Sequence, residues 1–166
     1  LVSIITRQAT SADLKTIAAL HALTFGPGRY TRTAYRIREG SPPSALHSRV
    51  ALQGEKIIAA LTMTPVTIGN TTGAALLGPV AVDPAFAKQG AGRRLISESL
   101  IEAKANNVSL IILVGDMSYY ERFGMTQVPL DQIELPGPFN PARLLAAELE
   151  AGAIKRYSGL VRALPE

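Results

Sequence analysis

The stretch Leu77–Leu95 gathers the groups in this chain best suited to hold an anion. An apolar strand ends in Val82, Asp83 and Pro84, a polar turn carrying Gly90 and Gly92 follows, and a helix begins with Arg93 and Arg94. The first turn of a helix has N–H groups without intrahelical partners and the positive end of the peptide dipole. Glycines that let a phosphate come close therefore make a pyrophosphate cradle there. Lys88, Arg93 and Arg94 add positive charge at the same place. Two phosphate-binding fingerprints are excluded. The dinucleotide form needs a third glycine three residues after Gly92, where Leu95 stands, and the nucleoside-triphosphate form needs a Gly-Lys-Ser/Thr run that the chain lacks. An anion-binding turn and a plain strand-to-helix turn remain, and the basic flanks favour binding.

That turn must be positioned by regular elements. Val2 to Thr6 reads as a short strand, and Thr10 to Asp13 is a polar start for a helix that turns Leu14, Ile17, Ala18 and Leu20 to a core. Gly26 to Gly28 stops it. Arg29 to Arg38 reads as a second helix, ended by the turn at Gly40 to Pro43. Strands at Arg49 to Gln53, Lys56 to Ile68 and Ala74 to Val82 predict a three-stranded antiparallel meander. Within the third, Gly78-Pro79 predicts a bulge or a splay, because proline donates no ladder hydrogen bond. Gly90 to Asn106 is the clearest helix, with Gly92, Leu95, Ile96, Ser99, Leu100 and Ala103 on one face and Asn106-Asn107 as its stop. The continuously apolar Leu110 to Val114 follows as a buried strand parallel to Ala74 to Val82. A short helix over Ser118 to Phe123 is expected next, with Ser118 and Glu121 spaced as a capping box and Gly124 as its end. Two late strands are read at Leu144 to Leu149 and Ser158 to Leu164.

Composition narrows the function classes. At 166 residues the expectation is one domain over 1–166. Apolar residues at 47% and charged residues at 18% suit a folded globule, and no apolar run reaches membrane-spanning length. There is no cysteine, so disulfides, thiolate metal sites and cysteine-bound acyl intermediates are excluded. His21 and His47 lack ligand-spaced companions, so no metal is expected. No secretory signal pattern stands at the first residues, which makes the cytoplasm the expected location. The net charge of +4 suits an anionic small partner better than nucleic acid, and membrane and nucleic acid are not expected partners.

The segment ending in Val82-Asp-Pro84 and running through Gly90 and Gly92 resembles the coenzyme-A motif of the GNAT superfamily of N-acetyltransferases, with Ala87 where that motif carries glutamine or arginine. Gly115 to Met125 is similar to the same family's Tyr-x-x-x-Gly-Phe segment, with Tyr120 on the tyrosine and Met125 in place of the phenylalanine. Its Gly-Asp-x-x-Tyr-Tyr form resembles one bacterial branch. The resemblance covers about Leu76 to Met125. It implies an α/β (α+β) fold: a mixed, mostly antiparallel sheet of six or seven strands, flanked by four helices, with a splayed parallel strand pair. It also implies acetyl-coenzyme A (acetyl-CoA) as cofactor and direct transfer of acetyl to a primary amine of a small molecule or protein. The backbone of Val80, Ala81 and Val82 would pair with the pantetheine arm, and Lys88, Gln89, Gly90, Ala91, Gly92, Arg93 and Arg94 would hold the pyrophosphate. Tyr120 would protonate the leaving sulfur, a role open to a phenol of pKa near 10.

No general base is assigned. Ala74 to Val82 has no carboxylate, and Asp83, Glu39 and Glu121 read as turn or surface acids. Arg29, Arg32 and Arg36 fall on one helical face with Arg38 nearby, a stripe that would favour an acceptor bearing carboxylate or phosphate over polycations. Two other functions stay open: an acyl-CoA-binding sensor that does not depend on Tyr120, and an RNA-associated module using Arg29 to Arg38. The 5% aromatic content gives the latter little for base stacking. Self-association as a homodimer is left open.

Overall fold

The computed structural model describes residues 3–28, 32–38 and 48–164. Val2, Arg29, Tyr30, Glu39, the turn at Gly40 to Pro43 and His47 lie outside the described residues. The elements in chain order are β1 (Ile4–Gln8), α1 (Leu14–Phe25), α2 (Thr33–Ile37), β2 (Arg49–Gln53), β3 (Lys56–Ile68), β4 (Thr71–Val82), α3 (Ala91–Ala105) and β5 (Leu110–Val114). They continue with α4 (Met117–Tyr120), β6 (Thr126–Gln127), β7 (Ile133–Glu134), β8 (Leu144–Glu148) and β9 (Gly159–Ala163).

The nine strands form a sheet whose main path runs β1-β2-β3-β4-β5-β8-β6, with β9 pairing both β3 and β7. The expected meander is present as β2, β3 and β4, all antiparallel. β4 and β5 pair in parallel, while β8 runs antiparallel to β5 along its whole length. The strand count exceeds the expected six or seven because of two-residue strands, β6 and β7, too short to show a period in sequence.

Alternation along the central strands sends side chains to two cores. Ala75, Leu77, Ile111 and Leu113 pack with Leu95 and Ile96 of α3 on one face. Ala74, Leu76, Leu110 and Ile112 pack on the other, with Ile37 of α2, and α1 covers that face further along through Ile17 and Leu20 against Val50, Ala60 and Ala81. A strand covered on both sides has no polar face, which is why β5 is uninterruptedly apolar. No helix among the described residues is long and apolar enough to cross a membrane.

Two local expectations are corrected. The short helix after β5 starts at Met117 with Asp116 as its N-cap, and Ser118 does not cap it, because the chain enters the helix two residues earlier than a Ser118 cap requires. Of the helix expected over Arg29 to Arg38, the described residues are regular only over Thr33–Ile37, with Arg32 in extended conformation at its N-cap.

The first strand and helix are joined by an ion pair. Arg7 donates to both carboxylate oxygens of Asp13, Nη1 to Oδ2 at 2.6 Å and Nη2 to Oδ1 at 3.0 Å, and the Thr10 N–H donates to Oδ2 at 2.8 Å. These donors hold the Asp13 carboxyl far below the usual carboxylate range, first through the Arg7 hydrogen bonds and then through the Thr10 backbone. A depressed folded-state pKa contributes stability above the unfolded value near 3.9 that disappears as pH falls below it. Asp13→Asn is expected to cost about 1 kcal/mol at pH 7. Thermal unfolding of the two proteins as a function of pH should show the gap closing below about pH 4; a constant gap would remove the ion pair as its cause.

Candidate active site

The site begins where β4 and β5 part. Their parallel pairing joins Ala74, Ala75 and Leu76 to Leu110, Ile111 and Ile112 and goes no further. Beyond it, β4 stays paired to β3 through Val80, Ala81 and Val82, so the β5-facing edge of Leu77–Val82 is open. The expected irregularity at Gly78-Pro79 takes both forms: a register shift against β3 between Leu61 and Met63, and the parting from β5. Gly78 has φ +130°, a conformation that favours glycine, and the bond to Pro79 is cis.

The turn from β4 to α3 brings a helix N-terminus to the end of this opened edge. Asp83, buried, accepts from the Ala85 N–H at 2.9 Å and caps the turn at Pro84–Phe86, which gives it a structural role. Lys88 and Gly90 both adopt positive φ, 64° and 84°, and Gly90 is the N-cap of α3. The first bond down the helix is Arg94 N–H to Gly90 O at 3.0 Å, so the N–H groups of Ala91, Gly92 and Arg93 have no intrahelical carbonyl. A Cβ on Gly92 would stand 3.3 Å from Val82 Cγ2, whereas one on Gly90 would meet nothing within 4 Å. Gly92 thus brings the helix against β4, and Gly90 faces open space.

The charges around the turn divide. Lys88, Gln89 and Arg93 are exposed. Arg93 faces an open recess with Ser118, Glu121 and Arg122, which places Glu121 away from the cleft described next. Arg94 is turned to β1, where it donates to Ile4 O at 2.7 Å, and it pairs with Glu98 at 3.4 Å.

Tyr120 comes to the opened edge from the opposite strand. β5 ends at Val114, Gly115 and Asp116 turn the chain, and the Tyr120 N–H closes α4 on Asp116 O at 3.0 Å. The Tyr120 ring lies edge-on to Tyr119 at 5.0 Å between centroids, and Phe123 is 6.1 Å away. Gly115 lies directly behind it: a Cβ there would come within 2.9 Å of Tyr120 Cδ2 and 3.1 Å of Leu113 Cδ1. Burial pushes the Tyr120 phenol above its ordinary value, with Tyr119 and Asp116 adding to the rise and Arg32 and Arg143 opposing it. It is therefore protonated at neutral pH.

Leu76, Leu77, Gly78, Pro79 and Val80 of β4, Val114 of β5 and Tyr120 enclose a cleft of about 320 Å³ with Arg32, Thr33, Ala34, Phe139 and Arg143. Its lining contains no carboxylate and no imidazole among the described residues. Of the arginines read as one stripe, Arg29 lies outside the described residues, and Arg32, Arg36 and Arg38 have separate surroundings. Arg32 lines the cleft with its guanidinium 4.1 Å from the Phe25 ring centroid, Arg36 packs on Gly137, and Arg38 lies 5.2 Å from the Tyr35 ring centroid. The α2 helix is too short to align them. Arg143 and Phe139 escaped the sequence reading. The only signal nearby was Asn140-Pro141, a turn start in which Asn140 Oδ1 accepts from the Ala142 N–H at 3.0 Å.

A family model for the GNAT acetyltransferase domain matches residues 6–128. The chain belongs to the GNAT acetyltransferase family. A GNAT family N-acetyltransferase from Escherichia coli, solved in complex with CoA, superposes with a TM-score of 0.82 at 22% identity, over 99% of this chain and 91% of that one. A GNAT family acetyltransferase from Brucella melitensis, solved with acetyl-CoA, has a TM-score of 0.65 at 27% identity, over 89% of this chain and 97% of that one. A comparison with curated proteins finds no match. The nine-stranded mixed sheet with its short parallel pair is the GNAT fold, as the motif resemblance implied.

The contact between Gly115 and the Tyr120 ring leads to a test. Gly115→Ala must displace the ring or the turn, at a cost of about 1–3 kcal/mol typical of overpacking. In a Tyr120→Ala background the same change should cost less, because the ring that the methyl strikes is gone. Equal losses of denaturant midpoint in both backgrounds would show that the glycine serves the turn alone.

Proposed function

We propose that the protein is an N-acetyltransferase that carries acetyl from acetyl-CoA directly to a primary amine, with Tyr120 as the acid. The observation that carries this reading is convergence. The open edge of β4, the N-terminus of α3 and a protonated phenol meet where β4 and β5 separate after Leu76 and Ile112. The E. coli and Brucella neighbours were solved with CoA and acetyl-CoA, which supports the choice of cofactor.

The residues present fit that cofactor. A Cβ on Gly92 would press on Val82 at 3.3 Å, so the glycine lets the first turn of α3 lie close to the opened edge, while the space before Gly90 is clear. Val80, Ala81 and Val82 would hold the pantetheine arm along their unpaired edge. Lys88, Gln89, Gly90, Ala91, Gly92 and Arg93 would hold the pyrophosphate by backbone N–H groups and two exposed cations. Arg94 is anchored to β1 and contributes at most its charge. Acetyl-CoA supplies an acetyl group activated as a thioester.

The chain's own part is acid catalysis and positioning. Tyr120 keeps its phenolic proton because burial disfavours the phenolate, and releasing it neutralises negative charge that develops in the cleft. Among the described residues the cleft lining offers no carboxylate or imidazole, and in this reading the proton lost by the amine passes to solvent and Tyr120 regains one from solvent. Protonation of the protein is the same before and after each turnover.

Calorimetry should show acetyl-CoA binding to the wild type, weakened about tenfold or more in the double variant Lys88→Glu/Arg93→Glu. These exposed positions separate charge from backbone strain better than Gly90, whose φ of 84° disfavours any side chain. Tyr120→Phe should keep that affinity and lose about a hundredfold in kcat. Because burial raises the Tyr120 pKa, the alkaline loss of wild-type activity should fall above pH 10 and be absent from the residual activity of Tyr120→Phe. No acetyl-CoA binding by the wild type would refute the transferase reading; unchanged kcat in Tyr120→Phe would leave a transferase with another acid.

A further inference from the structure

We infer that the acceptor is a small amine that also carries an oxyanion, carboxylate or phosphate, and that Arg32 and Arg143 bind this anion in the cleft before Tyr120. The inference rests on the N-acetyltransferase reading of that cleft.

The two arginines reach it from separate parts of the chain. Arg32 precedes α2, and Arg143 ends the turn Pro141–Arg143 before β8. Both line the cleft, and both lie close enough to Tyr120 for their charges to pull its phenol pKa down against the effect of burial. The positive charge therefore stands where the acceptor must lie.

Neither guanidinium is neutralised by a close partner. Arg32 has only the Phe25 ring beneath it at 4.1 Å and no ion pair among the described residues. A guanidinium stacked on a ring keeps its edge donors available, as a carboxylate or phosphate requires. Arg143 Nη2 lies 3.5 Å from Asp116 Oδ1, with the two side chains 49% and 71% exposed. Such a pair is loose and screened by water, and a better-placed anion can displace it. The backbone of Arg143 is fixed, since its carbonyl accepts from the Gly115 N–H at 2.9 Å and its N–H donates to Asn140 O at 2.9 Å.

Size and electrostatics narrow the class further. A cleft of about 320 Å³ is at the small end of small-molecule sites. With two guanidiniums and no carboxylate among the described residues of its lining, it repels diamines and polyamines and disfavours the ammonium form of any bound amine. An acceptor with its own oxyanion satisfies both arginines and presents its amine with less residual repulsion.

The test uses short primary amines of matched length that differ in the far group: propylamine (neutral), β-alanine (carboxylate), aminoethyl phosphate (phosphate) and 1,3-diaminopropane (cationic). Acetyl transfer from acetyl-CoA and calorimetric binding of each amine to the CoA-loaded protein are measured. The carboxylate or phosphate amine should exceed the neutral one by about tenfold or more in kcat/KM, and the diamine should be poorest. The better of the two anionic amines identifies the oxyanion. Arg143→Gln and Arg32→Gln should each reduce the anionic-to-neutral ratio about tenfold while acetyl-CoA affinity stays at the wild-type value, and the Arg→Lys variants should restore part of it. Equal use or equal binding of all four amines, or no binding of either anionic amine, overturns the inference. So does a ratio unchanged in both arginine variants. Failure of the wild type to bind acetyl-CoA overturns instead the reading on which it rests. Acetylation of a folded protein substrate with none of the four amines bound would point to a macromolecular acceptor and overturn it as well.

Discussion

The structure depends on a sheet that is required to come apart. β4 and β5 share only the three-residue register from Ala74 to Leu76, and that pairing is secured on both faces by the two large apolar cores. Two residues later the chain reaches Gly78-Pro79. Pro79 has no N–H to give to a neighbouring strand, and the register shift between Leu61 and Met63 of β3 accommodates the extra residue in β4. The result is a strand held firmly along one edge and open along the other. A sheet edge inside a folded domain leaves unpaired polar groups, a cost that persists only where something else can pair with them.

Every other part of the site is measured from that opening. Gly92 sets how closely α3 approaches β4, so the unpaired N–H groups of the first turn lie beside the strand whose edge is open. On the far side, β5 runs straight into Gly115, whose missing side chain leaves room for the Tyr120 ring. The β5–β8 ladder extends to Val114 opposite Leu144 and continues in the bond from the Gly115 N–H to Arg143 O, which carries Arg143 to the same cleft. Tyr120 and one of the cations thus depend on a single strand end, and displacement of β5 would move both.

What could be read from the chain follows from how local each signal is. The Gly90 and Gly92 turn, the apolar seam of α3 and the two-sided burial of β5 are consecutive in sequence, and their spacing reports the backbone directly. Gly78-Pro79 was legible for the same reason: the missing donor is a property of the residue itself. Tyr120 became legible only with a second motif beside it, since a tyrosine after a buried strand is otherwise a packing residue. Arg143 was not legible, because it enters the cleft through pairing between strands some thirty residues apart. The arginine stripe reads less directly for the complementary reason. Periodicity assumes that the helix continues, and among the described residues α2 begins after Arg32 and ends before Arg38, so Arg32, Arg36 and Arg38 have three different surroundings.

The electrostatics of the cleft bear on how the proposed tyrosine acid would work where the described lining carries no carboxylate. In a site lined by Arg32 and Arg143, a carboxylate base would be drawn into an ion pair and become a weak proton acceptor, as Asp13 does beside Arg7 elsewhere in this chain. The same positive field would lower the proton affinity of an amine bound there and so perform part of a base's work without holding a proton. It would also stabilise the Tyr120 phenolate, but burial together with Tyr119 and Asp116 outweighs it and the net shift is upward. The phenol keeps its proton, while an amine bound beside the arginines would lose one more readily. Under the proposed reading, apolar enclosure of one group and cationic exposure of the other would divide acid from nucleophile within one cleft.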